Sequence, residues 1–563
     1  MAWYDEAVFY HIYPLGMTGA PKQNPYGEPV PRLRTLLPWI AHIRAIGCTA
    51  LYIGPLFESV GHGYETTDYK KLDGRLGTNG DLKDFVAECH RQGVRVILDG
   101  VFNHTGRDFF AFRDIREKRE NSPYRDWYCH VNFGGSNAFG DGFSYENWGG
   151  YDLLAKLNQH NGAVRDYICD VVRFWVREFD IDGIRLDAAD VMDFGYMKML
   201  RQVANEVKPD FWLMGEVIHG NYGSWANGET IHSVTNYMLH KALYSAHNDR
   251  NYFEIAHTVK YVSDMTGGQL NLYTFADNHD VERIYTKLKN KAHFAPVHIL
   301  LYTLPGIPSV YYGSEFGIEG RKMQGSDDSL RPALAYEDWK TAMETNPCTR
   351  LIAALGRIRR ATPALCRGTY REVLLQNTCF AFERVLDGKG VIVAVNNADG
   401  EAQLSLPCGG GEYVGALSGE RLCARDGRLQ VRVPGNYGEI WIPAELCGDG
   451  FAPAALPEIK PAPMAEPAPA PKSEPVPAKA EPASVSEPAP VREEPVSARE
   501  AGPAPAPEVL DLNKPYEEMS IAELQEAILE KMRRNGPVTD YMLGTVRENT
   551  HHGSLLTWVR SFR

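Results

Sequence analysis

Apolar residues follow two rhythms along this chain. Short, near-continuous apolar runs such as "TALYIG" (49–54) and "VRVILDG" (94–100) alternate with stretches where apolar positions recur at helical intervals. Over 161–179 ("NGAVRDYICDVVRFWVREF"), Val164, Ile168, Val171, Val172 and Trp175 share one face, which predicts an amphipathic helix. Continuous apolar runs predict strands buried on both sides, as in a parallel sheet covered by helices. Eight such runs lie at 7–14, 49–54, 94–100, 181–187, 211–216, 232–237, 272–277 and 307–313. Eight strand–helix repeats fit a closed (β/α)8 barrel of the TIM type better than an open sheet.

The pattern also divides the chain. About 60 residues rich in Gly, Asn and aromatics separate the third run from the helix at 161. A structureless loop of that length is improbable, so an inserted B domain is expected at about 104–158 within a barrel domain of 1–365. From 366 to 447 the texture becomes short alternating strands separated by turn residues ("REVLLQN", "CFAFERVL", "GVIVAVNN", "AQLSLP", "LQVRV", "GEIWIP"). That spacing predicts a C-terminal antiparallel β-sandwich. Residues 448–508 form a Pro/Ala/Glu-rich linker, with 16 of the 36 prolines between 452 and 508. It cannot bury a core, so a disordered, extended spacer is expected. In the last segment, 509–563, "SIAE" reads as a capping box with Ser520 as N-cap and Glu523 reaching back, opening a helix that "NGP" (535–537) stops. One or two further short helices fit "YMLGTVREN" and "LLTWVRSF". Docking to a protein partner, self-association and a plain capped hairpin all suit this small helical tail.

Composition narrows the function classes. A net charge of −13 with no long basic run argues against a nucleic-acid surface. No apolar run approaches the ~18 residues of a membrane span, so no membrane partner is expected. The opening "MAWYDEAVFYHIYP" lacks the pattern of a signal peptide, and ten scattered cysteines form neither a C-x-x-C pair nor a dense disulfide framework. A cytoplasmic protein with free thiols is the expectation.

The candidate chemistry sits where the runs end. In a barrel of this kind the active site is built at the C-terminal ends of strands, and those ends carry Asp99, Asp187, Glu216 and the pair His279–Asp280, with Arg185 and His104 beside them. Each acid alone could cap the next helix; converging together they would repel, which argues for chemistry. Glycosidic bond cleavage needs two carboxyls with different proton affinities. Residues i and i+2 of a strand face one side, so Arg185 should hold Asp187 ionised as a nucleophile. Glu216, preceded by the apolar "FWLM" and with no adjacent cation in sequence, is then the general acid.

"DGVFNH" (99–104), "GIRLDAAD" (183–190), "GEVI" (215–218) and "FADNHD" (275–280) resemble the four conserved regions of glycoside hydrolase family 13, the α-amylase family. "GIPSVYYGSE" (306–315) and "GHGYETTDY" (61–69) are similar to its eighth-strand and second-strand signatures. The resemblance extends to about residue 445 and implies a barrel, an inserted B domain and a C-terminal β-sandwich. It further implies a retaining mechanism with Asp187 as nucleophile, Glu216 as acid/base and Asp280 as transition-state stabiliser. Tyr64 would stack on the sugar, and His104, Arg185 and His279 would contact that sugar or the nucleophile.

Within the family, "LLAKLN" (153–158) is similar to the "MPKLN" of the cyclomaltodextrinase, neopullulanase and maltogenic amylase group, and Ala188 suits α-1,4 more than α-1,6 bonds. The expectation is hydrolysis of α-1,4 bonds in maltooligosaccharides, cyclodextrins or related α-glucans. Two departures stand out. The chain as read begins at the barrel, without the N-terminal domain common in that group. The Lys-His that follows the nucleophile region in typical secreted amylases is Asp190-Val191 here, which removes a calcium ligand. No cofactor is therefore required, and calcium is signalled only by Asn103. A transglycosylase sharing the same intermediate is the rival reading; a non-catalytic scaffold fits poorly with the retained Asp187, Glu216 and Asp280.

Overall fold

The computed structural model describes residues 2–268, 271–323, 326–447, 453 and 514–535, with residues 546, 555 and 559. Eight short parallel strands form its centre: β1 (Phe9–Ile12), β2 (Ala50–Ile53), β3 (Arg95–Gly100), β4 (Gly183–Leu186), β5 (Trp212–Gly215), β6 (Ser233–Val234), β7 (Tyr273–Phe275) and β8 (Ile307–Tyr311). Each lies inside one of the eight apolar runs, and every strand residue among them is buried except Arg95. The hydrogen-bonded order runs β6-β5-β4-β3-β2-β1-β8-β7. A parallel bridge between Thr235 and Tyr273 joins β6 to β7 and closes the ring. This is a TIM barrel.

The local chemistry explains the elements. The helix Gly162–Phe179 starts at Asn161, whose side chain accepts from the backbone N–H groups of Ala163 and Val164, satisfying orphan donors of the first turn. Its Val164, Ile168, Val171, Val172 and Trp175 are all buried against the barrel. At the end of β2 a glycine is needed for a steric reason. A Cβ on Gly54 would stand 2.4 Å from Cβ of Asp99, so only Gly lets the β3 carboxylate occupy the barrel mouth.

The insertion after β3 builds a small antiparallel sheet. Its strands His104–Thr105, Tyr151–Lys156 and Asn147–Trp148 lie side by side in that order, with the helix Phe110–Lys118 packed nearby. His104 thus opens the insertion and pairs with Lys156 near its close.

Beyond the barrel, antiparallel strands form the C-terminal β domain: β9 (Thr369–Leu375), β10 (Cys379–Leu386), β11 (Lys389–Asn396), β12 (Ala402–Pro407), β13 (Glu412–Gly415), β14 (Arg421–Cys423), β15 (Arg428–Val433) and β16 (Tyr437–Pro443). Six make one sheet in the order β9-β10-β11-β16-β13-β14, and β12 pairs with β15. The strands β13 and β14 escaped the sequence reading because each is too short to alternate visibly.

The linker expected over 448–508 lies outside the described residues apart from Pro453. In the tail, the helix Ile521–Asn535 forms with the anticipated capping box. Ser520 N–H donates to Glu523 Oε2 at 2.8 Å, and Glu523 N–H donates to Ser520 Oγ at 3.3 Å. Met519, Leu524 and Ile528 are buried with Val546, Leu555 and Val559 in a cluster of their own. The remainder of the expected helices at 541–549 and 555–562 is outside the described residues.

Candidate active site

The barrel mouth is organised around one guanidinium. Arg185, on β4, pairs in register with Asp99 of β3 on one side and Met214 of β5 on the other. Its Nη1 donates to Asp187 Oδ1 at 2.8 Å and to both oxygens of Asp99 at 2.9 and 3.2 Å. Its Nη2 lies 2.9 Å from Glu216 Oε2. The same-face pairing of Arg185 with Asp187 is as the strand geometry requires.

Glu216 corrects one step of the sequence argument. It has no cation beside it in the chain, yet it touches the same arginine as Asp187. The contact comes from the neighbouring strand, through register rather than sequence adjacency. Lack of a cation therefore does not distinguish the two carboxyls. Glu216 Oε2 also accepts from the backbone N–H of Ala188 at 3.1 Å, while Oε1 faces the Tyr237 hydroxyl at 3.5 Å. Ala188 presents that N–H from a left-handed conformation, φ 47° and ψ 41°, which costs a non-glycine residue roughly 1–2 kcal/mol.

Burial raises the proton affinity of this cluster. It pushes Asp187 well above the ordinary carboxylate range, with Arg185 pulling down and Glu216 and Asp99 pushing up. Burial likewise raises Glu216, against the pull of Arg185 and with the push of Asp280. Asp99 is raised by burial too, although Arg185 and the hydroxyls of Tyr52 and Tyr64 favour its charge. One guanidinium does not neutralise three buried carboxylates; burial outweighs Arg185 at Asp187 most of all, against the sequence expectation that this arginine alone holds Asp187 ionised.

Across the mouth, Asp280 is anchored separately. Its Oδ1 accepts from Arg331 Nη2 at 2.9 Å and its Oδ2 lies 3.0 Å from His279 Nε2. Arg331 is also stacked over Tyr13, 4.6 Å from the ring centre, and donates to the His279 carbonyl at 3.0 Å. Tyr64 lies parallel to the His279 ring, with centroids 5.9 Å apart, and its hydroxyl donates to Asp99 at 3.2 Å. Burial holds His279 well below its ordinary pKa and lowers His104 to about 3, so both imidazoles are neutral. Among the described residues His104 Nε2 and His279 Nδ1 are buried polar atoms that make no hydrogen bond of good geometry. Of the seven residues proposed from sequence, Arg185 stands on β4 itself, His104 on the first strand of the insertion, and Tyr64, Asp187, Glu216, His279 and Asp280 in the strand-end loops of the same barrel face.

Comparison with known proteins decides the family. Residues 33–364, more than half of the chain, match the alpha-amylase catalytic domain. The chain belongs to the α-amylase family. It is accordingly a glycosidase, an enzyme that hydrolyses O-glycosyl bonds. It is 30% identical over 472 residues to neopullulanase 2 of Thermoactinomyces vulgaris, covering 78% of each chain. Among solved structures it resembles a cyclomaltodextrinase with a TM-score of 0.69 at 26% identity, covering 78% of each chain. A debranching enzyme of Nostoc punctiforme gives a TM-score of 0.67 at 25% identity, over 78% of this chain and 98% of that one.

α-Amylase-family enzymes sometimes bind calcium, and Asn103 was the residue that raised it. Asn103 Oδ1 accepts from Gln159 Nε2 at 3.0 Å, Gln159 Oε1 accepts from the Asp193 N–H at 2.7 Å, and Arg165 Nη2 sits 3.2 Å from Asp193 Oδ1. Calcium requires six to eight oxygen ligands at roughly 2.3–2.6 Å. Here it would displace donating amides and face a guanidinium, so these residues do not fit the ion. Among the described residues no group of three or more His, Cys, Asp or Glu is placed to hold a metal.

Sequence reasoning missed Arg331, Tyr237 and Tyr52. Arg331 lies in a loop beyond β8 in "SLRPAL" and Tyr237 begins the helix Tyr237–Asn248 after β6. Neither carries a local signal; only their contacts with Asp280 and Glu216 reveal them. Tyr52, inside β2, donates to Asp99 at 2.9 Å, and its inward alternation on the strand was the one available hint.

Proposed function

We propose that this enzyme is a retaining hydrolase of α-1,4-glucosidic bonds in maltooligosaccharides, cyclodextrins or related α-glucans, acting through a covalent glycosyl-enzyme. The observation that carries the reading is the sharing of Arg185 between Asp187 and Glu216, with Asp280 held independently by Arg331 and His279. Two carboxyls on one cation can divide one proton, as double displacement demands.

In this reading Asp187 Oδ1 stays on Arg185 Nη1 and Oδ2 attacks the anomeric carbon. Glu216 Oε2 is committed to two donors, Arg185 and the Ala188 N–H, so Oε1 carries the proton. As the bond from the anomeric carbon to the leaving oxygen breaks, Oε1 protonates that oxygen. Glu216, now ionised, takes a proton from water, which attacks the same carbon and releases Asp187. Asp280 stabilises the positive charge that develops on the sugar. Tyr64 packs its ring on the glucosyl unit, Arg185 orients the nucleophile, and His104 Nε2 and His279 supply hydrogen bonds to sugar hydroxyls.

A cytoplasmic place of action belongs to the same reading. It is supported by ten unpaired cysteines and by 27% identity to an intracellular maltogenic amylase of Bacillus subtilis. Among the described residues no helix is long and apolar enough to cross a membrane.

The test is a substrate panel of starch, cyclodextrin, pullulan, maltotriose, isomaltose and sucrose with products identified. Cleavage of maltotriose and cyclodextrin to short α-configured sugars is expected. Activity confined to isomaltose or sucrose would overturn the bond assignment. Chains longer than the substrate as the main product from concentrated maltotriose would replace hydrolysis by transfer.

A further inference from the structure

His104 ends a chain of amide hydrogen bonds whose polarity is fixed from the far end. The backbone N–H of Asp193, which can only donate, is 2.7 Å from the Gln159 side-chain oxygen. That assignment turns the Gln159 NH2 toward Asn103 Oδ1, which accepts at 3.0 Å. The Asn103 NH2 then faces His104 Nδ1 at 3.3 Å. An imidazole nitrogen that accepts cannot carry the proton, so in the neutral ring the proton resides on Nε2. Among the described residues His104 Nε2 makes no hydrogen bond of good geometry, and the Tyr64 backbone carbonyl is the protein acceptor that faces the imidazole. Asn103 is 0%, His104 1% and Gln159 5% exposed, so water does not readily scramble these bonds.

The anchors of the chain are themselves held. Arg165 Nε donates to the Gln159 carbonyl at 2.6 Å and its Nη2 to Asp193 Oδ1 at 3.2 Å. Asp193 caps the helix Phe194–Val207, its carboxylate accepting from the Tyr196 N–H at 2.8 Å. The relay thus ties three segments together: the loop after β3, the residues that follow the insertion, and the loop leading away from Asp187.

We propose that Gln159 is a positioning residue that sets His104 as an Nε2–H donor toward the sugar, through a relay beginning at the backbone of Asp193. The proposal rests on the reading that His104 contacts substrate. It assigns a role to Gln159 and Asp193, and it predicts the direction of one hydrogen bond: the bound sugar's hydroxyl accepts from His104. Partners that orient a functional imidazole in this way typically cost 10–100-fold when removed from metal sites, and a comparable ground-state effect is expected here.

Two substitutions reverse the polarity without changing size. In Gln159→Glu the new carboxylate accepts from the Asn103 NH2, so the Asn103 amide turns its oxygen to His104 Nδ1 and draws the proton there. In Asn103→Asp the carboxylate faces Nδ1 directly and does the same. The experiment uses the full chain with 15N-labelled histidine, reading the tautomer from two-bond 1H–15N spectra; the His104 signals are those that His104→Ala removes. Wild type should show the Nε2–H form and both variants the Nδ1–H form. For maltotriose, kcat/KM of Gln159→Glu should fall on the order of 10-fold, mainly through KM, and the same substitution placed on His104→Ala should cost nothing further. Retention of the Nε2–H form in both variants would overturn the relay, as would an equal kinetic penalty with and without His104. If His104→Ala leaves kcat/KM unchanged, the sugar contact fails, while the tautomer spectra still decide the relay.

Discussion

Oε2 of Glu216 lies 2.9 Å from Nη2 of Arg185, so the proposed proton donor and the proposed nucleophile lean on the same cation. This arrangement makes Arg185 a proton-affinity control for both carboxyls, rather than a private partner of Asp187. When Glu216 gives its proton to the leaving oxygen, its new charge appears next to a guanidinium already in place. No reorganisation is needed at that moment, which is how preorganised electrostatics lowers a barrier.

Arg185→Lys should therefore retain a charge but lose the fork that reaches Asp99, Asp187 and Glu216 together. Asp187 then holds its proton more tightly, and the acidic limb of the kcat/KM profile should move to higher pH. A loss of about 100-fold at the optimum is expected from misplacement of the nucleophile. An unchanged acidic limb would remove Arg185 from this role. Arg185→Ala leaves buried carboxyls without their cation and should destabilise the fold by roughly 3–5 kcal/mol in denaturant unfolding.

Asp187→Asn preserves shape and should keep the thermal transition near that of wild type while abolishing the glycosyl-enzyme. Mass spectrometry after reaction with an activated fluoro-sugar should find no adduct, and turnover should fall by about 10⁴-fold or more, the scale seen when a nucleophile is removed. Wild-type-like turnover would exclude Asp187.

How much of this was readable from the chain follows from the physics of each contact. The barrel strands were visible because burial on both faces leaves uninterrupted apolar runs, and "VRVILDG" encloses β3, Arg95–Gly100. The Arg185–Asp187 pair was visible because two-residue alternation puts both on one side. The Arg185–Glu216 contact was not, since it arises from the pairing of β4 with β5 in register, Arg185 opposite Met214. Arg331, 51 residues from Asp280, is likewise a product of loop folding. Short-range patterns identified the acids; only the closed barrel revealed which cations they share.

Asp190 provides a pH test at the edge of the carboxyl–arginine centre, where its backbone N–H donates to the Glu216 carbonyl at 3.2 Å. Burial, followed by the charge of Glu216, raises its pKa to about 7. A carboxyl raised on folding binds more protons in the native than in the unfolded chain between the two pKa values, so its contribution to stability declines as pH rises from about 4 to about 7 and is flat above. Asp190→Asn should thus match wild type near pH 4 and become progressively more stable than it up to pH 7. It should also lower the basic limb of kcat/KM, because an ionised Asp190 helps Glu216 keep its proton. Urea melts across pH with parallel kinetics would check both; a constant stability difference would show that Asp190 does not titrate in this range.

The tail can be separated from the barrel. Met519, Leu524, Ile528, Val546, Leu555 and Val559 bury one another in their own cluster, and the β domain is completed by β16 at Pro443. A chain ending at Cys447 should unfold at a temperature within a few degrees of the full chain and hydrolyse maltotriose at the same rate. Insolubility of the shortened chain would show that the C-terminal segments stabilise the barrel.

Glu216 allows the most discriminating test, because its two tasks occur in different steps. In the first it protonates the leaving oxygen, a contribution worth less as the leaving group becomes more acidic. In the second it deprotonates water. Glu216→Gln keeps an oxygen to accept from Arg185 and the Ala188 N–H, with the amide NH2 in the Oε1 position, so the surroundings of Asp187 are preserved. The variant should lose about 10³-fold or more on maltotriose and far less in forming the intermediate from an aryl α-glucoside with a very acidic phenol. The phenol should then appear in a burst followed by slow turnover, since the base for the second step is gone. Azide needs no general base, so it should restore turnover and give the α-glycosyl azide, the retained configuration. Equal losses on both substrates, with no burst and no response to azide, would reassign the proton donor, and Asp280, with its Oδ1 on Arg331, would be the next carboxyl to test.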